Sequence, residues 1–145
     1  MATFTTTIVS PLASDDAFAR MAAFDRAPEW DPATEASVLV GDERGLGAAF
    51  DVTTGFGGKT HVVRYRMTRY EPPHRFVLEA TLPNGIGLRD EITVAPAGRG
   101  SRVTYDARIL PRGVWRLADP VFAIVFRRIG ARAVPGLLRF LESTS

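Results

Sequence analysis

A chain of 145 residues, 46% of them hydrophobic and 23% charged, has the size and make-up of one globular domain, residues 1–145, and can bury roughly 70% of its unfolded surface in one core. The absence of cysteine excludes a disulfide framework, a thiolate metal site and a cysteine nucleophile. The net charge of +2 comes from 18 basic residues, of which only Lys59 is a lysine, against 16 acidic ones, too small an excess to mark a nucleic-acid-binding protein.

The threonine-rich, β-branched run from Thr3 to Val9 reads as a first strand. After Ser10-Pro11, Ser14-Asp15-Asp16 opens a short helix to about Phe24, with Ser14 expected to cap and the aspartates suited to the positive end of the helix dipole. Phe18, Met21 and Ala22 give it one apolar face. Asp25 to Pro32 is a turn or short helix carrying Trp30.

The period then changes to two. Six strand candidates follow: Glu35–Val40, Leu46–Thr53, Thr60–Tyr70, Arg75–Leu82, Gly87–Val94 and Ser101–Leu110. Gly- and Pro-rich breaks separate them, and connections this short imply antiparallel hairpins. Val63, Tyr65 and Met67 alternate with Arg64, Arg66 and Thr68, and Val103, Tyr105, Ala107 and Ile109 alternate with polar neighbours. One face is buried and the other wet.

Asp119-Pro120 starts a final helix. Phe122, Val125, Phe126, Ile129, Ala133, Leu137 and Phe140 form one stripe, while Arg127, Arg128, Arg132 and Arg139 project from the other side. About 23 residues at 1.5 Å each make it roughly 35 Å long, with a kink expected near Ala131 from Pro135. The fold is therefore α+β in two layers, a curled seven-stranded antiparallel sheet with one long helix across its concave side. Such a sheet, with glycines to bend it, is expected to enclose an internal apolar cavity.

Several residues carry a family resemblance. Phe24-Asp25-Arg26-Ala27-Pro28-Glu29-Trp30-Asp31-Pro32 resembles the Trp-Asp/Asn-Pro signature of the START-like, or SRPBCC, proteins. This superfamily includes the polyketide cyclase/dehydrase and lipid-transport proteins and the birch-pollen allergen. Tyr70-Glu71-Pro72-Pro73-His74-Arg75-Phe76 is similar to their Tyr-x-Pro-Pro-x-Arg hairpin. Gly100-Ser101-Arg102-Val103-Thr104-Tyr105 resembles the strand before their long helix, and Leu117-Ala118-Asp119-Pro120 its start. The resemblance covers nearly the whole chain. It implies a helix-grip fold around a hydrophobic cavity that holds a lipid, polyketide or quinone, with catalysis of cyclisation or dehydration in some members.

The cavity wall is then expected from Phe50, Val63, Tyr65, Met67, Phe76 and Leu78 of the strands, with Leu88 and Tyr105. Trp115, Phe122 and Phe126 would close it from the helix side, and Trp30 from the turn. His61 shares strand parity with Val63, and Asp90 shares it with Leu88 and Ile92. A His61–Asp90 pair facing the cavity would suit proton abstraction beside a carbonyl, as a cyclase or dehydratase requires. The plainer alternatives are that His61 sits at the wet rim and that Asp90 satisfies Arg89 or a nearby amide. Trp30 has its own plain alternative, a plug between the small helix and the sheet.

Other chemistries find no support. His61 and His74 are the only histidines, so no zinc site and no cofactor is expected. Gly55-Phe56-Gly57-Gly58 precedes no helix, which excludes a phosphate cradle. The serines lack a nucleophile-elbow pattern. The longest apolar run, Val121 to Phe126, falls far short of the roughly 20 residues of a membrane span, and with no export signal visible the expected location is cytoplasmic. Ile124 and Leu138 on the arginine side of the last helix suggest a weak membrane-surface contact or a homodimer. Three functions remain open: a binder of a small hydrophobic molecule, an enzyme using His61 and Asp90, or an interaction module with a vestigial cavity.

Overall fold

The structure, a computed structural model, describes residues 2–56, 59–83, 85–110 and 119–142, apart from the side chains of residues 2, 56, 119, 121–123 and 126. Strand β1 (Ala2–Ser10) leads into helix α1 (Ser14–Ala22) and a 3-10 helix (Phe24–Glu29). There follow β2 (Thr34–Val40), β3 (Ala49–Phe56), β4 (Lys59–Glu71), β5 (Arg75–Thr81), β6 (Gly87–Ala97) and β7 (Gly100–Leu110), and then helix α2 (Asp119–Glu142). The strands form one antiparallel sheet in the order β1-β7-β6-β5-β4-β3-β2. The meander from β2 to β7 is built from successive hairpins, and β1 adds itself to β7 from the far end of the sequence, with Thr5 opposite Asp106. The sheet does not close, because β1 and β2 are its two edges.

Element types follow the periodicity, and the boundaries move where turn chemistry decides them. Leu46 lies outside β3 and is 66% exposed, because Gly45 and Gly47 adopt positive φ of 90° and 85° and turn the chain there. At the other hairpin β6 runs on through Pro96, opposite Ser101, and the turn comes at Gly98. Ser14 does not cap α1: Ala13 holds the cap position with no side-chain bond, and Ala17 N–H reaches Ala13 O at 2.9 Å. Pro135 lies inside α2 without ending it.

The two faces of the sheet differ as alternation requires. Outward, charges interlock: Arg75 pairs with Glu91, Arg89 reaches both Glu79 and Glu91 at 3.4 Å, and Arg108 meets Asp106 at 2.9 Å. Inward, Phe76, Leu78 and Ile92 are fully buried and Val94, Val103 and Ile8 nearly so, with Phe18 of α1 edge-on to Phe76 at 5.4 Å. Phe4, Thr6, Leu88, Ile109 and Tyr65 share that inner face yet remain half-buried. The core is thus densest near α1 and loosens toward Leu88 and Ile109.

Helix α2 is held by its C-terminal half. The last carbonyls of a helix have no partner within it. Here Phe140 O accepts from the Arg20 guanidinium at 2.8 Å, and Leu141 O from the Ser10 hydroxyl at 2.6 Å. Ser10 Oγ also accepts the Leu12 N–H at 3.1 Å, and Ser101 Oγ donates to Leu12 O at 2.9 Å, so two buried serines join β1, β7 and α2. One turn earlier α2 lies against the backbone of Trp30: a Cβ on Gly136 would stand 2.1 Å from the Trp30 carbonyl oxygen.

Two substitutions check this anchoring. Ser10→Ala leaves a buried carbonyl and a buried N–H unpaired and is expected to cost about 1–3 kcal/mol in urea unfolding. Gly136→Ala would add about 1 kcal/mol of helix propensity at an unhindered site. Against a backbone carbonyl it should instead destabilise by about 3 kcal/mol, so the sign of the change reads the contact.

Candidate functional site

Among the described residues the inner face of the sheet carries one buried carboxyl group. Asp90 on β6 stands opposite Leu78 of β5 and Ala107 of β7. The same cross-strand row continues to Met67 on β4 and Phe4 on β1. Period-two alternation in β6 turns Arg89 and Glu91 outward into the charge ladder and so forces Asp90 inward among apolar side chains. Its relative exposure is 8%.

Burying a carboxylate costs several kcal/mol unless it is paired or protonated. Among the described residues Asp90 has no cationic partner; instead the Tyr105 hydroxyl donates to its Oδ2 at 2.5 Å. Burial pushes the Asp90 carboxyl up to about 7, against the lowering effect of the Tyr105 hydrogen bond, with the Asp31 charge adding to the rise. The phenols of Tyr105 and Tyr65 are driven well above their usual range, first by burial and then by the charge of Asp90. Asp90 Oδ1 and the Tyr65 hydroxyl form no hydrogen bond among the described residues. The interior therefore holds a protonatable acid and a phenol with unused hydrogen-bonding capacity, at the boundary where the core loosens.

Aromatic rings frame this group. Trp30 packs edge-on to Tyr105 at 5.5 Å, and Phe24 contacts Trp30 at 6.4 Å, Phe50 at 5.8 Å and Tyr65 at 5.6 Å. Trp30 is fixed from behind by the turn that follows it: Asp31 accepts the Ala33 N–H at 2.9 Å and the Thr34 hydroxyl at 2.8 Å. Burial raises the Asp31 carboxyl in spite of these two bonds. Asp25 faces outward, in a paired contact of 2.9 Å with Arg44, which holds its carboxyl below the usual value.

Phe50, Met67, Phe76, Leu78, Val63 and Trp30 are buried on the inner side, and Tyr65, Tyr105 and Leu88 share that face. Trp115 and the side chains of Phe122 and Phe126 lie outside the described residues. The expected His61–Asp90 pair is not assembled. His61 keeps inner-face parity, opposite Thr54, but is exposed. It lies six residues from Met67, the β4 residue in Asp90's row, or about 20 Å at 3.3 Å per residue. Parity defines a face, and register defines position along it. Asp90 does not serve Arg89 either, since Arg89 spends its guanidinium on Glu79 and Glu91. Asp31 was not singled out from the sequence, although an Asp followed by a polar residue three positions on is the signature of its turn.

A concavity of about 270 Å³ opens on the outer side of the β2–β3 hairpin between Val40, Asp42, Glu43, Ala49, Arg64 and Arg66. Its arginines are already engaged, Arg64 with Asp51 at 2.7 Å and Arg66 with the Gly47 carbonyl at 3.3 Å. Among the described residues no cluster of acidic and histidine side chains is arranged to hold a metal ion.

An unclosed seven-stranded sheet gripping a C-terminal helix, with aromatic and polar side chains converging between them, defines the helix-grip class of Bet v 1-like proteins. Comparison with known proteins places the chain within it. Residues 1–140 match the model of the polyketide cyclase / dehydrase and lipid transport family, and the chain belongs to that family. A search of curated protein sequences gives no match. Solved structures of the same fold include Ara h 8.0201, at 19% identity and TM-score 0.70, with 96% of this chain and 97% of that one covered. Another is the di-domain aromatase/cyclase StfQ of the steffimycin biosynthetic pathway, at 20% identity and TM-score 0.73, with 97% of this chain and 49% of that one covered. The Zhui aromatase/cyclase from Streptomyces sp. R1128 superposes at TM-score 0.72 with 13% identity, covering 94% of this chain and 91% of that one.

The raised carboxyl gives Asp90 a definite effect on stability. Its folded value of about 7 lies above the ordinary aspartate value of 3.8, so the native state holds the proton more tightly than the unfolded chain. That stabilisation is complete below the unfolded value and is lost as pH climbs through about 7. Relative to Asp90→Asn, the native protein should lose about 1.4 kcal/mol per pH unit between pH ~4.5 and ~6.5. Urea unfolding of the two proteins in parallel across that range measures the difference.

Proposed function

We propose that the protein binds a small hydrophobic molecule of lipid, polyketide or quinone type, with its apolar body against the inner face of the sheet beneath α2. Its polar oxygen would lie at Asp90 and Tyr65. One observation carries this reading: a buried acid and a phenol present unused hydrogen-bonding atoms inside an otherwise apolar interior. Buried polar groups are normally satisfied, and a few convergent polar groups in an apolar enclosure are the usual make-up of a small-molecule site. Below its pKa the Asp90 carboxyl donates from the oxygen that Tyr105 does not hold, which suits a carbonyl. Trp30, Phe50 and Leu88 supply flat and aliphatic surface around it. The family to which the chain belongs supports the same class of ligand.

A second reading has its own support. An acid whose pKa lies near neutrality is suited to proton transfer, and aromatase/cyclases share this fold. In that reading Asp90 is the acid/base group, with Tyr65 polarising the carbonyl of a polyketide during cyclisation or dehydration. His61 would take part only at the exposed end of β4.

The test begins with native mass spectrometry of the purified protein and extraction of any bound molecule. Binding of a hydroxynaphthoquinone is then compared with that of a plain aromatic hydrocarbon. Asp90→Leu and Tyr65→Phe should each weaken the quinone about tenfold, the worth of one buried hydrogen bond, and leave the hydrocarbon unchanged, while Asp90→Asn, which keeps a donor in place of the neutral carboxyl, should bind it as the wild type does. Quinone affinity should fall above pH ~7, as the acid loses its proton. Equal losses for both ligands would reject Asp90 as a polar anchor. Turnover of a polyketide that vanishes in Asp90→Asn while binding persists would select the catalytic reading, and no binding of either ligand would select the vestigial-cavity reading.

A further inference from the structure

The exposed side of α2 has a composition that neither the core nor the interior site uses. Taking Arg127 as zero and advancing 100° per residue, Leu138, Ala131, Ile124 and Pro135 fall between about 20° and 80°. Arg127 flanks this strip on one side, and Arg128, Arg139 and Arg132 lie at about 100° to 140° on the other. All eight residues are exposed, Ile124 to 57% and Leu138 to 38%. The opposite arc, with Ala133, Leu137, Phe140 and Leu141, is buried. Between Pro120 and Leu141 the sequence has no acidic residue, and none of the four arginines forms an ion pair or hydrogen bond among the described residues. Six arginines elsewhere, Arg26, Arg44, Arg64, Arg75, Arg89 and Arg108, are by contrast each paired with a carboxylate.

We infer that this face of α2 docks the protein onto an anionic lipid surface, lying flat with Ile124, Ala131, Pro135 and Leu138 against the acyl boundary and the arginines among the phosphates. An apolar strip flanked by guanidinium groups is the pattern of an interfacial helix. Lateral docking is the geometry open to it, since no helix is long and apolar enough to cross a membrane among the described residues. The alternatives fit less well. A two-fold contact between copies of this face would bring eight arginines together with no carboxylate in the strip to neutralise them. A nucleic-acid backbone would leave the central apolar strip without a partner. The proposal is independent of what the interior binds.

Co-flotation with vesicles tests it, using phosphatidylcholine alone and phosphatidylcholine mixed with phosphatidylglycerol. The full chain should float with the mixed vesicles, not with the neutral ones, and high salt should release it. Each surface arginine contributes about fivefold to partitioning, so Arg128→Gln/Arg132→Gln should bind roughly 30-fold more weakly. Ile124→Asn should weaken binding at unchanged charge, separating insertion from simple attraction. These side chains are exposed, so the variants should unfold in urea at the wild-type midpoint. The proposal is overturned if flotation is absent, if it is equal on the two vesicle types, or if it is unaltered by both variants. It also fails if a DNA duplex displaces the vesicles, or if a concentration-dependent dimer that Ile124→Asn dissolves accounts for the exposed strip.

Discussion

The attachment of the C-terminal half of α2 to the body of the protein is the constraint on which the rest of the structure depends. A curled sheet without a cover has one apolar face in water, and the helix that covers it must be fixed in direction as well as in place. Two kinds of contact do this. The terminal carbonyls at Phe140 and Leu141 are satisfied by Arg20 and Ser10, which belong to α1 and β1. Gly136 lets the helix settle on the main chain of Trp30. Arg26 adds a guanidinium 4.8 Å from the centre of the Phe140 ring. The angle of α2 across the sheet is set at this end, and so is the space between them.

The same contact explains why Trp30 belongs to both scaffold and site. Its carbonyl side faces Gly136, while its ring packs against Tyr105, which in turn holds Asp90. A shift of α2 would pass through Trp30 to the Tyr105–Asp90 hydrogen bond within two contacts. The acid is therefore buried by the elements that stabilise the fold. Its high proton affinity is the electrostatic cost of that burial, partly offset by one hydrogen bond.

Fold class, strand number and most boundaries were legible in the sequence, because each depends on local spacing. Alternation in Val63–Met67 and Val103–Ile109 names the buried face, and the loosely spaced motifs around Trp30, Pro72-Pro73 and Gly100 name the family. The site was legible only in part. Asp90 was identifiable as an inward-facing acid from its neighbours. Its partner was not, since Tyr105 meets it through the pairing of β6 with β7. His61 was misplaced beside it for the related reason that strand parity carries no information on distance along the strand. Gly136 and Ser10 were silent, as their roles arise where segments more than a hundred residues apart touch.

The addition of β1 to β7 bears on how the molecule is made. The hydroxyl of Thr5 meets Asp106 across 101 residues, and Ser10 meets Leu141 across 131. During synthesis β1 emerges long before the strand that receives it, whereas β2 to β7 can zip up hairpin by hairpin as they appear. Pairings so distant in the chain close slowly, and an unpaired apolar strand invites association while it waits. The run Thr5-Thr6-Thr7 meets both demands. Threonine favours the extended backbone through its β-branch, and its hydroxyl keeps the waiting strand wet until its neighbour on the ribosome has been built.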